Sequence, residues 1–200
     1  MSDLSAALER LDEITRRLRH DCPWDREQDE RSIVPHTIEE AYELADAAHS
    51  GDDAKLLDEL GDVLFQVYFL ALLLEERGQG SLAEVAEHCR QKLIRRHPHV
   101  FGDRAADTAG DVVRNWNQIK RDDERGGEIF GEIPQTLPST LYAKKVLKRA
   151  QSAGHEPRPG GDHPGERLLA AVRDSVDAGI DPELALRQAA DRFRSEVEAD

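Results

Sequence analysis

Residues 53–77 read DAKLLDELGDVLFQVYFLALLLEER. Apolar side chains at Leu56, Leu57, Leu60, Val63, Leu64, Phe65, Val67, Phe69, Leu70, Leu72, Leu73 and Leu74 are too dense for one stripe of an amphipathic helix. A helix that is apolar all round is buried by its neighbours or sandwiched in an oligomer interface. In its N-terminal half Glu59 and Asp62 interrupt the run of leucine and valine. Gly51, just before it, is a helix stop, so a second helix ends there after running from about residue 32 to 49. Ser32 is the expected N-cap of that helix, and Pro35 is expected in its first turn, where a missing N–H costs little.

Further outward the same period continues. Leu4, Leu8, Leu11, Ile14 and Leu18 recur at helical spacing over residues 3–19. Residues 20–31, HDCPWDREQDER, are polar and broken by Pro23, and read as a loop. SLAE at 81–84 is a capping box opening a helix to about residue 96, and a weaker helix covers about 109–122. Residues 124–138 form a connector punctuated by Gly and Pro, followed by a basic helix at 139–153. GHEPRPGGDHPG at 154–165 is a linker by composition. Two last helices cover about 166–178 and 182–198, the latter with Asp181 as N-cap and Pro182 at its first position. Nothing reads as a strand series, so the fold class is all-α, a helical bundle with an additional helical C-terminal region.

Composition narrows the function classes. The chain has 200 residues with a net charge of −14, 38% apolar and 34% charged. Such an acidic surface excludes a general nucleic-acid binder, which must displace counterions with basic side chains. It leaves room for a small phosphorylated ligand held through a cation. Cys22 and Cys89 form no CxxC and are too few to staple the fold. The first twenty residues lack the apolar core of a signal peptide, and no stretch approaches about 18 uninterrupted apolar residues. The expectation is a cytoplasmic protein with no membrane partner.

The candidate chemistry lies where the second and third helices meet. Glu40 and Glu43 are three apart on one helix, as are Glu59 and Asp62 on the other. Each pair therefore shares a face, and two helices joined by a short turn pack antiparallel. Carboxylates converging among Leu57, Leu60, Val63 and Leu64 would be desolvated and mutually repelled. A divalent cation relieves both penalties, since Mg²⁺ selects oxygen ligands. The competing account is ordinary ion pairing, with Lys55 one turn from Glu59. Spacing alone leaves the two open.

A second group is basic: Lys92, Arg95, Arg96, His97 and His99 in QKLIRRHPHVF, then Trp116 and Lys120. Lys92 and Arg96 share a helix face, a repulsive arrangement that a polyanion would relieve. Arginine forks suit phosphate oxygens; a helix C-terminus favouring cations is the plainer account. Taken together, carboxylates and a basic fork describe a phosphoanhydride site.

CPWDREQ at 22–28, EEAYE at 39–43, ELGDVLFQV at 59–67, KLIRRHPHVFGD at 92–103 and NWNQIK at 115–120 together resemble the MazG family of nucleoside triphosphate pyrophosphohydrolases. The resemblance covers about residues 4–122. It implies a dimerising four-helix-type core in which Glu40, Glu43, Glu59 and Asp62 hold Mg²⁺, with Mn²⁺ as a substitute. It also implies that Lys55, Lys92, Arg95, Arg96 and Lys120 serve the phosphates and that Trp116 lies near the nucleotide. Glu39 either orients or deprotonates water or lies outside the ligand shell. The implied reaction is water attack at the α-phosphorus of NTPs or dNTPs, giving NMP and pyrophosphate, in nucleotide-pool house-cleaning by a homodimer. Alternatives are a narrower all-α pyrophosphatase for dUTP, dCTP or phosphoribosyl-ATP, and a non-catalytic helical regulatory protein.

Trp24 is expected to pack as an ordinary core residue, with closure over the base as the other reading. His36 stands where the family pattern has an aromatic, typically Tyr. The expected domains are a catalytic region at 1–122, a connector at 123–138 and a helical region at 139–200. Some relatives carry two copies of the domain, and the C-terminal region resembles a decayed second copy. Aligning Val172 with Val67 puts Pro164 at the place of Glu59 and Arg167 at that of Asp62, so no metal ligands remain.

Overall fold

Asp29 starts the helical hairpin that organises the first half of the chain. Its carboxylate accepts from the amides of Arg31 and Ser32, while Ser32 Oγ accepts from the Asp29 amide at 2.9 Å, closing a capping box. The helix therefore begins at Glu30, and Ser32, the expected N-cap, is its third residue. Pro35 consequently lies inside the helix rather than in its first turn, and its missing N–H removes one bond of the ladder. The chain turns at Gly51, whose φ of 73° is left-handed backbone that suits glycine. Asp52 then caps the next helix through the amides of Ala54 and Lys55.

The computed structural model describes residues 3–124, 128–155 and 161–199, with backbone alone for 121–124. Every regular element among them is an α-helix: α1 (Leu4–Asp21), α2 (Pro23–Glu27), α3 (Glu30–Ser50), α4 (Asp53–Glu76), α5 (Leu82–Arg96), α6 (Pro98–Phe101), α7 (Ala109–Glu124), α8 (Ser139–Ser152), α9 (Pro164–Asp177) and α10 (Pro182–Ala199). Two differences from the sequence expectation are local. Residues 20–31 are mostly helical rather than loop, because Pro23 opens the single turn α2 instead of breaking structure. Pro98 likewise opens the short α6. Parts of the expected connector (125–127) and linker (156–160) fall outside the described residues.

Two compact units divide the chain, Met1–Ile94 and Arg95–Asp200. In the first, α3 and α4 form the principal packing pair and α1 lies against the C-terminal part of α4. The seam between α3 and α4 follows a three-four repeat: Ile33, Thr37, Glu40, Leu44 and Ala47 on one helix, Glu59, Asp62, Gln66, Phe69 and Leu73 on the other. One end of that seam is apolar, with Ile33, Phe69 and Leu73 buried together and Phe65 and Leu70 packed against them. Next along it, Thr37 Oγ1 donates to buried Gln66 Oε1 at 3.3 Å. Beyond that pair comes an acidic stretch, Glu40 on α3 with Glu59 and Asp62 on α4, followed on α3 by Leu44 and buried Ala47.

Arg19 ties α1 to the α2 turn. Its guanidinium donates to the carbonyls of Asp25 and Gln28 and makes two bonds of 2.9 Å to Glu76. Arg19→Ala is expected to lower unfolding stability by about 2 kcal/mol, on the scale of hydrogen bonds to a charged group, in urea denaturation followed by circular dichroism. An unchanged midpoint would mean that the clamp contributes nothing.

α4 is less covered than its composition suggests. Tyr68, Phe69, Ala71, Leu72 and Leu73 are buried, but Leu57 (74% exposed), Leu60, Leu64 and Val67 form an open stripe along its first half. Among the described residues α3 and α1 pack on α4 and leave that stripe exposed.

In the second unit α8, α9 and α10 pack on one another. Lys144 pairs with Asp181 and Thr140 with Glu183, while Arg149 donates to the carbonyls of Phe130 and Glu132, holding the connector against α8. α9 starts at Pro164, with His163 as its N-cap. In α4, by contrast, six helical residues precede Glu59.

Candidate active site

The acidic stretch of the α3–α4 seam places Glu40 and Glu59 where a helical hairpin ordinarily puts leucine. Glu40, Glu43 and Glu59 each offer an oxygen, and these oxygens all lie within 4.8 Å of one another. Glu59 is 9% exposed, and its Oε2 is buried without a hydrogen-bond partner. Nothing in the fold of this hairpin requires that: a leucine at position 59 would extend the apolar seam.

Electrostatics show the cost. Burial, then the charges of Asp62, Glu43, Glu59 and Glu39, hold the Glu40 carboxyl above the usual carboxylate range. Burial and Glu43 push Glu59 up likewise, with Asp62 and Asp58 adding to it and Lys55 opposing. Lys55 is therefore close enough to act on the cluster, but one ammonium does not offset it. Like charges at this spacing are mutually destabilising, and the orphaned Glu59 oxygen adds a desolvation penalty. A hard divalent cation fits this donor set, since it takes several carboxylate oxygens and removes the repulsion. Asp62 is exposed and lies outside the tight trio, though its charge reaches both Glu40 and Glu59.

Glu39 lies outside the trio, with its Oε2 3.9 Å from His36 Nδ1, and its charge still acts on Glu40. Lys92, on α5, lines a groove with Leu74, Val85 and His88 that includes none of the four carboxylates. Arg95, Arg96, Trp116 and Lys120 belong to the second unit. There the Arg96 guanidinium lies 5.4 Å from the Trp116 ring centroid, and His97 meets the same indole edge-on at 4.8 Å. Arg96 is buried, so this cation–aromatic group is a built feature rather than a loose surface cluster.

Trp24 departs from expectation. It is 51% exposed and in edge contact with His36, not in the core. The residue of the CPWDREQ motif that is buried is Asp25, because Arg19 draws the α2 turn inward at that point. The Thr37–Gln66 pair and the Arg19 clamp carried no sequence signal; one threonine, glutamine or arginine on a helix reads as any other.

Comparison with known proteins follows this geometry. A family model described as the MazG nucleotide pyrophosphohydrolase domain matches residues 28–101, the span that contains α3, α4 and the carboxylates. A Thermotoga maritima protein named nucleoside triphosphate pyrophosphohydrolase/pyrophosphatase MazG is 33% identical, covering 96% of this chain and 85% of its own length. The Escherichia coli nucleoside triphosphate pyrophosphohydrolase is 39% identical over 74% of this chain. The chain spans only 59% of that relative's length. An uncharacterized 26.1 kDa protein from Streptomyces cacaoi is 38% identical, covering 94% of this chain and 79% of its own. The crystal structure of a mazG-related protein from Thermotoga maritima superposes with a TM-score of 0.49 at 25% identity, covering 56% of this chain and 98% of that one. An all-helical chain whose hairpin seam carries carboxylates, alike over nearly its whole length to a MazG protein, is a member of the MazG family.

Proposed function

We propose that this chain is a Mg²⁺-dependent nucleoside triphosphate pyrophosphohydrolase, converting NTPs or dNTPs to NMP and pyrophosphate. The observation that carries this reading is the carboxylate trio gathered on the α3–α4 hairpin, with Glu40 and Glu59 in the seam, exposed Glu43 beside them and the unpartnered Glu59 Oε2 among them. Glu40, Glu43, Glu59 and Asp62 would hold the cation, with Mn²⁺ as a substitute. When bound, it supplies positive charge for phosphate oxygens and acidifies water. Glu39 would orient or deprotonate the attacking water, or lie outside the ligand shell. Lys55, Lys92, Arg95, Arg96 and Lys120 would neutralise the triphosphate and the departing pyrophosphate, as cations do at phosphoryl centres, with Trp116 near the nucleotide.

Release of pyrophosphate rather than phosphate from a panel of NTPs and dNTPs with Mg²⁺ tests the reading. Several nucleotides turning over at comparable rates supports it. A sharp preference for dUTP, dCTP or phosphoribosyl-ATP would replace it with a narrow pyrophosphatase, and no turnover with a regulatory role.

The active unit in this reading is a homodimer in the cytoplasm, serving nucleotide-pool house-cleaning. Residues 1–122 are the catalytic region, 123–138 the connector, and 139–200 a degenerate second copy, in which Pro164 and Arg167 stand at the places of Glu59 and Asp62. Among the described residues no helix is long and apolar enough to cross a membrane. The open Leu57, Leu60, Leu64 and Val67 stripe supports dimerisation, since such a stripe is stabilised by burial against a second copy. Leu60→Asp with Leu64→Asp is expected to give a monomer by light scattering at micromolar concentration, while the native chain is a dimer. A native monomer would remove the dimer from the reading.

A further inference from the structure

Trp24 is the largest side chain left half exposed in the first unit, although tryptophan is among the most buried residues on average. Its exposure does not come from a loose turn. Arg19 holds the carbonyls of Asp25 and Gln28, Gln28 Nε2 donates to the Trp24 carbonyl at 2.8 Å, and Asp25 beside it is buried. The indole meets His36 with ring centroids 5.7 Å apart and planes at 70°. A near-perpendicular contact cannot cover both faces of the indole, so a stacking surface stays open.

The position of this pair matters. His36 lies four residues before Glu40, about 6 Å along α3 at the ordinary helical rise. In the proposed reaction the α-phosphate is drawn to the carboxylates, and one ribose separates it from the base. One helical turn is the right order of spacing for a base to reach Trp24.

We infer that Trp24, braced by His36 and by the Arg19 clamp, is the stacking platform for the nucleobase of a bound nucleoside triphosphate. This rests on the proposed triphosphate substrate. Every base has a π-face, so stacking tolerates all four, and the platform selects for a base without selecting which one.

The test uses the full chain in Mg²⁺ and calorimetric binding of α,β-methylene analogues of ATP, GTP, CTP and UTP, with inorganic tripolyphosphate as the base-free ligand. Trp24→Ala is expected to weaken all four analogues by about tenfold, the scale of one lost base–aromatic stack, and to leave tripolyphosphate within twofold. Trp24→Phe restores most of the affinity, which a fault in folding would not allow. Equal weakening of tripolyphosphate, or analogue affinities unchanged in Trp24→Ala, overturns the platform, as does a native chain that binds no analogue. Turnover of NTPs by the native chain is measured separately. A chain that hydrolyses none yet shows the selective loss keeps the platform and loses the pyrophosphohydrolase reading. A chain that hydrolyses them with no selective loss does the reverse.

Discussion

Asp62→Asn and Glu43→Gln each lower the turnover of nucleoside triphosphates by at least about a hundredfold, the scale seen when a charge-stabilising contact to the transition state is lost. Both substitutions keep size and hydrogen-bonding capacity, so packing changes little. Glu43 belongs to the trio whose oxygens converge within 4.8 Å. Asp62 lies outside that trio but its charge acts on both Glu40 and Glu59. The two variants therefore test different claims. Loss at Glu43 alone would confine the ligand set to the three glutamates and place Asp62 outside it. Loss at both would make the cluster a four-carboxylate site. The measurement is steady-state pyrophosphate release at saturating Mg²⁺, with a thermal melt for each variant; a rate within threefold of native at both positions would remove the catalytic assignment. Removing one charge from a repelling cluster is expected to leave the metal-free fold at least as stable, so a fall in rate cannot be assigned to unfolding.

The second large effect is on stability. Phe69→Ala is expected to lower unfolding free energy by about 3–5 kcal/mol, the usual cost of emptying a buried aromatic site. Phe69 is 1% exposed and joins Ile33 and Leu73 at the apolar end of the α3–α4 seam. Urea denaturation should show the midpoint falling with an unchanged slope, the signature of lost stability without a change in the denatured state. A loss below about 1 kcal/mol would mean that the layer collapses around the gap. The same variant checks how the seam is divided. If the apolar end alone holds the hairpin together, weakening it lowers metal affinity too, because Glu40 and Glu59 are aligned by that packing.

Local chemistry made much of this legible in advance. The cap at Ser81, whose Oγ accepts from the Glu84 amide and donates to the Glu84 carboxylate, Gly51 as the hairpin turn, and Asp181 as a cap for Glu183 and Leu184 follow from side chains within a few residues of each other. The sequence leaves the start of α3 open by a few residues because Asp29 and Ser32 can each cap a helix. Only the reciprocal bonds decide which one does. Pro23 breaks the sequence pattern of residues 20–31 yet opens α2, because proline at a first helical position starts a turn as readily as it ends one.

The long helix at 53–77 shows where that legibility ends. Its density of leucine determined that it would be helical and would need covering, and the acids at 59 and 62 determined that part of it would resist ordinary burial. Both follow from the order of residues along one chain segment. Only the tertiary structure decided which side is covered. α3 takes the seam of Glu59, Gln66, Phe69 and Leu73, α1 takes the C-terminal half, and Leu57, Leu60, Leu64 and Val67 stay open. Likewise no sequence pattern could separate a carboxylate paired with Lys55 from one left with a buried, unpartnered oxygen. The difference lies in which side chains from a distant segment share its space, and periodicity along one segment carries no record of that.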